Sequence, residues 1–360
     1  MKSLGNFPDP FIAEIAGQPD AIRRAAEGVA EQLPALDRLG DVATRRPRPI
    51  PVFTGMGSSY FVSYPAVTDL AASGVAALRI DAAELLHFRT GVLTPGATLV
   101  TVSQSGRSAE LVRIARTVRA SAAPPTFVSV TNGLDNPVAE LADIALDTRA
   151  GDEVGPSTMT FAAALVTVAA VAGVIAGEPA PGVAVRLGAE AEVAATAAEH
   201  LFARGSLPEE LAEWFGASDT LVLLARGPAR AAAEMGALTL KEAVGLAAES
   251  LETAQFRHGP LELAGPGLAA VIIATEQETR DLDTALAGEL VAAGGVVLQV
   301  TADSGESISG VTCIEVGSIP RALAPAVSIV PSQLLAWRLA VIRGRDPGSY
   351  VQAHKVTTRE

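Results

Sequence analysis

Repeatedly along this chain a short run of β-branched and aliphatic residues ends on a glycine or hydroxyl-rich turn and passes straight into helical sequence. In the first half Ile50 to Thr54 leads into GMGSSY, Thr98 to Val102 into SQSGRSAEL, and Thr126 to Thr131 into NGLDNPVAELA. The second half repeats the alternation more loosely, with Thr220 to Leu224 before ARGPARAAAEM, Leu268 to Ala274 before TEQETRDLDTALAGEL, and Val296 to Thr301 before ADSGES. Short apolar runs bounded by such turns are buried parallel strands with βα connections. The pattern predicts an α/β chain of two similar units, each a mainly parallel sheet flanked by helices.

A length of 360 residues accommodates two such units, each able to bury its own core. The expected organisation is a helical extension over 1–46, a first sheet domain over 47–177, and a linker with a helix over 178–203. A second sheet domain over 204–345 and a tail over 346–360 complete it. The linker is marked by GEPAPG at 177–182. The formal net charge of -13 repels phosphate backbones and anionic lipid, so neither nucleic acid nor a membrane is an expected partner. Cys313 is the only cysteine, which excludes a disulfide framework or a cysteine-based zinc site within one chain and suits a reducing cytoplasm. The opening MKSLGNFPDPF lacks the apolar stretch of a signal peptide, so no export is expected. The uncharged run from Phe161 to Gly177 is short for a membrane span, rich in alanine and without basic flanks, and reads as a buried helix. His87 and His200 read as ordinary packed or surface residues.

Ser103-Gln104-Ser105-Gly106-Arg107-Ser108 stands where a strand ends and the helix of Ala109 to Val118 begins. Free N–H groups at a helix start, the helix dipole and several hydroxyls suit an anion. Gly57-Ser58-Ser59, after the preceding strand, would stand at the same carboxyl edge of the sheet, where α/β proteins bind ligands. Serine and glycine also serve merely as caps and turns, and either loop alone is open to that reading. The matching turns of the second half, ATEQET and TADSGES, carry acidic residues that would oppose a phosphate, so one phosphate site per chain is expected. Glu242 on AAAEMGALTLKEAVGLA and His258 in QFRHGP, with Glu249 and Glu252 between them, offer a carboxylate and an imidazole for proton transfer and ring opening on a sugar. An isolated helical glutamate is otherwise a solvated or ion-paired residue.

On these residues the chain resembles the sugar isomerase (SIS) family, in particular the isomerase half of glucosamine-6-phosphate synthase, the stand-alone sugar-phosphate deaminases and the deglycases of phosphorylated fructosamines. The resemblance rests on GSSY at 57–60, SQSG at 103–106 and LKEAVGLAAESLETAQFRHGP at 240–260, with support from EIAGQPDAI near the start, EVGPST at 153–158 and the final KVTTRE. It implies that Ser59, Ser103, Gln104, Ser105 and Ser108 bind phosphate and that Ser157 lines the sugar. It implies further that Glu242 shuttles a proton between C1 and C2, and that His258 opens the ring in the active site of a partner subunit. Lys355, five residues before the last residue, Glu360, matches the lysine that contacts the open-chain carbonyl. Where the synthase has lysines, this chain has Thr239 and Met159, and the stretch before Lys355 departs from the synthase pattern. Those departures bear on the amine substituent and leave the phosphate reading intact.

The resulting expectation is an aldose–ketose isomerase coupled to loss of an amine, working as a homodimer with a composite site and needing no cofactor or metal. The specific expectation is deamination of glucosamine-6-phosphate to fructose-6-phosphate and ammonia. Its rivals are a deglycase of phosphorylated fructosamines and a non-catalytic sugar-phosphate-binding regulator. No glutaminase segment is evident, so amide transfer from glutamine is not expected, and the first residues carry no helix-turn-helix pattern.

Overall fold

In the computed structural model, which describes residues 9–303, 308–352 and 354–359, the alternation resolves into two five-stranded sheets. The first contains β1 (Ile50–Thr54), β2 (Leu78–Arg79), β3 (Ala97–Ser103), β4 (Thr126–Thr131) and β5 (Ile144–Asp147), in the order β2-β1-β3-β4-β5. The second contains β6 (Thr220–Ala225), β7 (Ala248–Glu252), β8 (Leu268–Ala274), β9 (Val296–Thr301) and β10 (Val311–Glu315), in the order β10-β9-β8-β6-β7. Every neighbouring pair is parallel, as the α/β reading requires. Taken from its β7 edge, the second sheet has the winding of the first, so the chain contains the same topology twice.

The central strands β3 and β8 are buried at every position, because helices cover both faces of a parallel sheet. β8, LAAVIIA, is accordingly a continuous apolar run, while β3, ATLVTVS, interleaves buried threonines with its aliphatic residues, and burying each Val, Leu or Ile contributes about 1.5–3 kcal/mol. The strands that the apolar-run pattern misses are β2, β5, β7 and β10, the four edges. In β7 only Ala248 is buried and in β10 only Ile314; a strand half open to solvent can carry Glu249, Glu252 and Glu315 and loses the apolar signature.

The compact units are not consecutive stretches of chain. Among the described residues, one gathers 20–153, 159–192 and 352–359 around the first sheet, and the other gathers 9–19, 154–158 and 193–351 around the second. The amino-terminal region is helical over Pro10–Ala16, Gln18–Glu31 and Leu33–Ala43. Asp9 caps the first of these, its Oδ1 accepting from the Phe11 N–H at 2.9 Å, with Pro10 in the first turn, where a missing N–H costs nothing. GEPAPG is a turn of Gly177 to Pro179, since the helix Ala180–Ala203 begins inside the motif. Among the described residues, two helical stretches are long and apolar enough to cross a membrane, Met159–Ala176 and Ala324–Ile342, and both are mostly buried in the fold. Residues 304–307 of TADSGES and residues 1–8 of the opening segment lie outside the described residues.

Candidate active site

The carboxyl edge of the first sheet carries the serine loops. Ser58, Ser59, Ser103, Gln104, Thr148 and Thr160 line a small cleft at this edge. Ser59 arrives on the short helix Ser58–Phe61 that follows β1. The loop is braced from β2, where the Arg79 guanidinium lies 3.7 Å from the centre of the Tyr60 ring and donates from Nε to the Ser63 hydroxyl at 3.1 Å. This stacked cation is held by both its charge and its planar face.

The Ser103 to Ser108 loop is fixed by its own hydroxyls. Ser103 Oγ accepts from the Gly106 N–H at 3.0 Å and Ser105 Oγ from the Arg107 N–H at 3.2 Å. Each hydroxyl that accepts in this way still has its own O–H to donate outward. Gly106 adopts φ +60, and a Cβ there would stand 1.8 Å from the Asn136 Oδ1, so both backbone conformation and space demand glycine. Asn136 in turn caps the short helix after β4, accepting from the Ala139 N–H at 2.9 Å. Ser108 stands at the N-cap of the helix Ala109–Ala120 but makes no side-chain capping bond. The first N–H of that helix, on Ala109, donates to the Thr357 carbonyl at 3.2 Å. The helix start read from sequence as an anion site thus gives one of its donors to the carboxyl-terminal tail.

Lys355 is tied to the same edge through residues that the sequence reading did not single out. Its Nζ lies 2.7 Å from Glu153 Oε2, and the Glu153 side chain is fully buried. Glu153 also accepts from the Thr160 N–H at 3.0 Å and the Thr160 hydroxyl at 2.5 Å, and Thr160 lines the cleft. Ser59, Ser103, Gln104, Ser105, Ser108 and Lys355 therefore belong to one unit. Sequence offered a trace of Glu153, as the first residue of EVGPST.

The second-sheet unit holds Ser157, Glu242 and His258. The segment bearing Ser157 is held by the buried Glu14, whose Oε2 accepts from the Gly155 N–H at 3.1 Å, and by Tyr350, whose hydroxyl donates to the Gly155 carbonyl at 3.1 Å. Glu14 of EIAGQPDAI thus holds Gly155 of EVGPST. Glu242 is half-buried in the last turn of the helix Arg230–Val244. Gly245 closes that helix in the left-handed conformation, its N–H meeting the Leu240 and Lys241 carbonyls. Thr239 is fully buried and its hydroxyl donates to the Met235 carbonyl at 2.9 Å, so at this position the side chain satisfies itself within its own helix. His258 is exposed, in the turn after the short helix Thr253–Phe256.

If the hydroxyls of the serine loop hold a phosphate, Ser103→Ala with Ser105→Ala should weaken hexose-phosphate binding by about 1.5–3 kcal/mol per lost charged hydrogen bond. The parent sugar should bind equally poorly to both proteins. Calorimetry finding the same affinity for glucosamine and its 6-phosphate in the unaltered protein would refute a phosphate site here.

The family profile described as the SIS domain matches residues 51–173 and 216–343, one stretch around each sheet. The chain is 29% identical over 300 residues to a glutamine–fructose-6-phosphate aminotransferase (isomerizing) of Zymomonas mobilis, covering 81% of this chain and 49% of that protein. It spans about half the length of the curated relatives it matches. The C-terminal domain of glucosamine-fructose-6-phosphate aminotransferase from Francisella tularensis has the same fold, with a TM-score of 0.85 at 23% identity over 97% of this chain and 99% of that one. So has a glucosamine-6-phosphate deaminase from Thermotoga maritima, with a TM-score of 0.74 at 18% identity over 96% and 99% of the two chains.

Proposed function

The chain belongs to the SIS-domain family, and from that premise we propose that it is a sugar-phosphate isomerase that releases the amine of an amino-sugar phosphate. The most specific form of this reading is glucosamine-6-phosphate plus water giving fructose-6-phosphate plus ammonia. The observation that carries it is the cleft lined by Ser59, Ser103 and Gln104, with Lys355 tethered to the same edge through Glu153 and Thr160.

In this mechanism the serine loop takes the 6-phosphate, aided by the backbone dipoles at the start of the helix Ala109–Ala120. His258, supplied by the partner subunit of a homodimer, moves the proton that opens the ring. Glu242 then takes the proton from C2 and returns it at C1, leaving an imine at C2. Water hydrolyses the imine, and ammonia leaves. Lys355 stands by the open-chain carbonyl and polarises it. Each role comes to these residues from the family resemblance, and the serine cleft with its tethered lysine supports it.

In the deglycase reading the amine is on C1: Glu242 would carry the proton from C1 to C2, and hydrolysis of the resulting C1 imine would release the amine or amino acid and leave an aldose phosphate. That reading draws on Thr239, whose buried and self-bonded hydroxyl offers no cation where the synthase has a lysine. Incubation with a panel of amino-sugar phosphates and phosphorylated fructosamines, with ammonia and amino acids read separately, decides between them. Ammonia released from glucosamine-6-phosphate is the expected result. Amino acid released from fructosamine phosphates alone would establish the deglycase, and no turnover of any member would leave a binding protein.

A further inference from the structure

The two sheets share one winding, yet their carboxyl edges are put to different uses. In the first, the turns after β1 and β3 carry serines and line a cleft. In the second, the turn after β6, the counterpart of β1, carries Arg226, and the neighbouring positions hold carboxylates. Arg226 Nε lies 2.9 Å from Asp283 Oδ1, and its Nη1 lies 3.3 Å from Glu252 Oε1. The Arg226 side chain is 14% exposed and that of Asp283 is 1% exposed. Burial pushes the Asp283 carboxyl above its ordinary value, against the pull of Arg226 and of the Thr279 hydroxyl, which donates to Asp283 Oδ2 at 3.2 Å.

An ion pair this deep is a poor device for stability alone, because desolvation cancels much of the attraction. What it does supply is fixed geometry. Glu252, at the end of β7, turns its second oxygen to the Gln255 N–H at 2.9 Å and so caps the short helix that follows. The Gln255 carbonyl then accepts from the His258 N–H at 3.0 Å. Two residues before His258, Phe256 is fully buried in the core of this unit. Beside it, Arg257 meets Glu289 through both nitrogens, at 2.7 and 2.9 Å, and holds that carboxyl below its ordinary range. Asp283 and Glu289 lie on the same helix, Arg280–Ala292. The turn that presents the exposed His258 is thus fastened to that helix twice, once through Arg226 and Glu252 and once through Arg257.

We propose that Arg226 and Glu252 are positioning residues for His258, holding its turn rigid so that the imidazole is presented in one orientation. The proposal rests on the reading of His258 as the ring-opening group. The edge that binds phosphate in the first repeat serves in the second to aim a side chain.

The test uses the full-length protein and two mild variants, Glu252→Gln, which keeps the shape of the cap and loses its charge, and Arg226→Lys, which keeps the charge and loses the planar fork. Two substrates are run in the amination direction with ammonium. One is fructose-6-phosphate; the other is its 5-deoxy analogue, which lacks the hydroxyl that closes the ring. Misplacing a catalytic group by about 1 Å costs on the order of 100-fold. The expected result is a fall of about 10- to 100-fold in kcat on fructose-6-phosphate with KM little changed, and no comparable fall on the 5-deoxy analogue. Hydrogen exchange at the amides of residues 255–258 should accelerate in both variants while exchange in the central strand β8 stays the same. Equal losses on both sugars, or unchanged exchange in the turn, would overturn the brace. Were the unaltered protein to turn over neither sugar, the function would be wrong, and exchange would still decide whether Arg226 and Glu252 fix the turn.

Discussion

Replacing Glu242 with glutamine is expected to lower kcat on the true sugar phosphate by about 100- to 10,000-fold while the Kd for that sugar phosphate changes little. The substitution keeps the size of the side chain and removes only its capacity to take up and return a proton. The fold should tolerate it. Glu242 is half-buried in the last turn of its helix, and the Gly245 N–H contacts to Leu240 and Lys241 that close the helix are made by the backbone. A variant with near-normal kcat would remove Glu242 from the mechanism. The same variant also tests the composite site. Chains carrying Glu242→Gln and chains carrying His258→Ala, each inactive alone, should regain activity on mixing, because some sites in the mixed dimer then hold both residues. Lack of recovery despite demonstrated subunit exchange would place both residues in one subunit's site.

Removing the tail lysine should be nearly as damaging, and here catalysis can be separated from stability. Lys355→Ala takes the cation from a Glu153 side chain that is fully buried, although Thr160 still gives it an N–H and a hydroxyl. A loss of about 1–3 kcal/mol in unfolding free energy is expected for a buried group stripped of one partner. Adding Glu153→Gln should recover part of that stability, since the amide no longer needs a cation. It should recover none of the turnover if Lys355 acts on the carbonyl. Deleting the residues after Gly348 should lower turnover at least as far as Lys355→Ala. Denaturation midpoints and kcat measured on the same samples decide the matter, and a stabilised double variant with restored kcat would show that Lys355 serves structure alone.

The fold was legible wherever a strand is buried on both faces. β1, β4, β8 and β9 run over the residues that the apolar pattern marks, and β3 and β6 extend only a residue beyond it at one or both ends. The edge strands were not legible, because β7 and β10 carry glutamates that partial exposure permits. For the candidate site, sequence located the serine loop but not what holds it. Nothing in the spacing of residues predicts that Asn136 stands where Gly106 would have a Cβ, or that the Ala109 N–H meets the Thr357 carbonyl. Pairings such as Lys355 with Glu153 and Glu14 with Gly155 span 202 and 141 positions. Such contacts depend on the tertiary course of the chain and leave no periodic trace in it. Arg226 was invisible for the same reason, since its partners Glu252 and Asp283 come from the end of β7 and from the helix Arg280–Ala292.

The discontinuous make-up of the compact units sets a rule for recombining this chain with its relatives. A crossover at the turn of Gly177 to Pro179 looks safe in an alignment, since it falls between two helices. Yet it parts Glu153 from Lys355, and Glu14 and Gly155 from Tyr350, contacts that a chimera would then have to assemble from two parents. Shuffled libraries should therefore yield active hybrids mainly when the carboxyl-terminal tail travels with the EVGPST segment of the same parent, and a second breakpoint before Gly348 is the one that lets it do so.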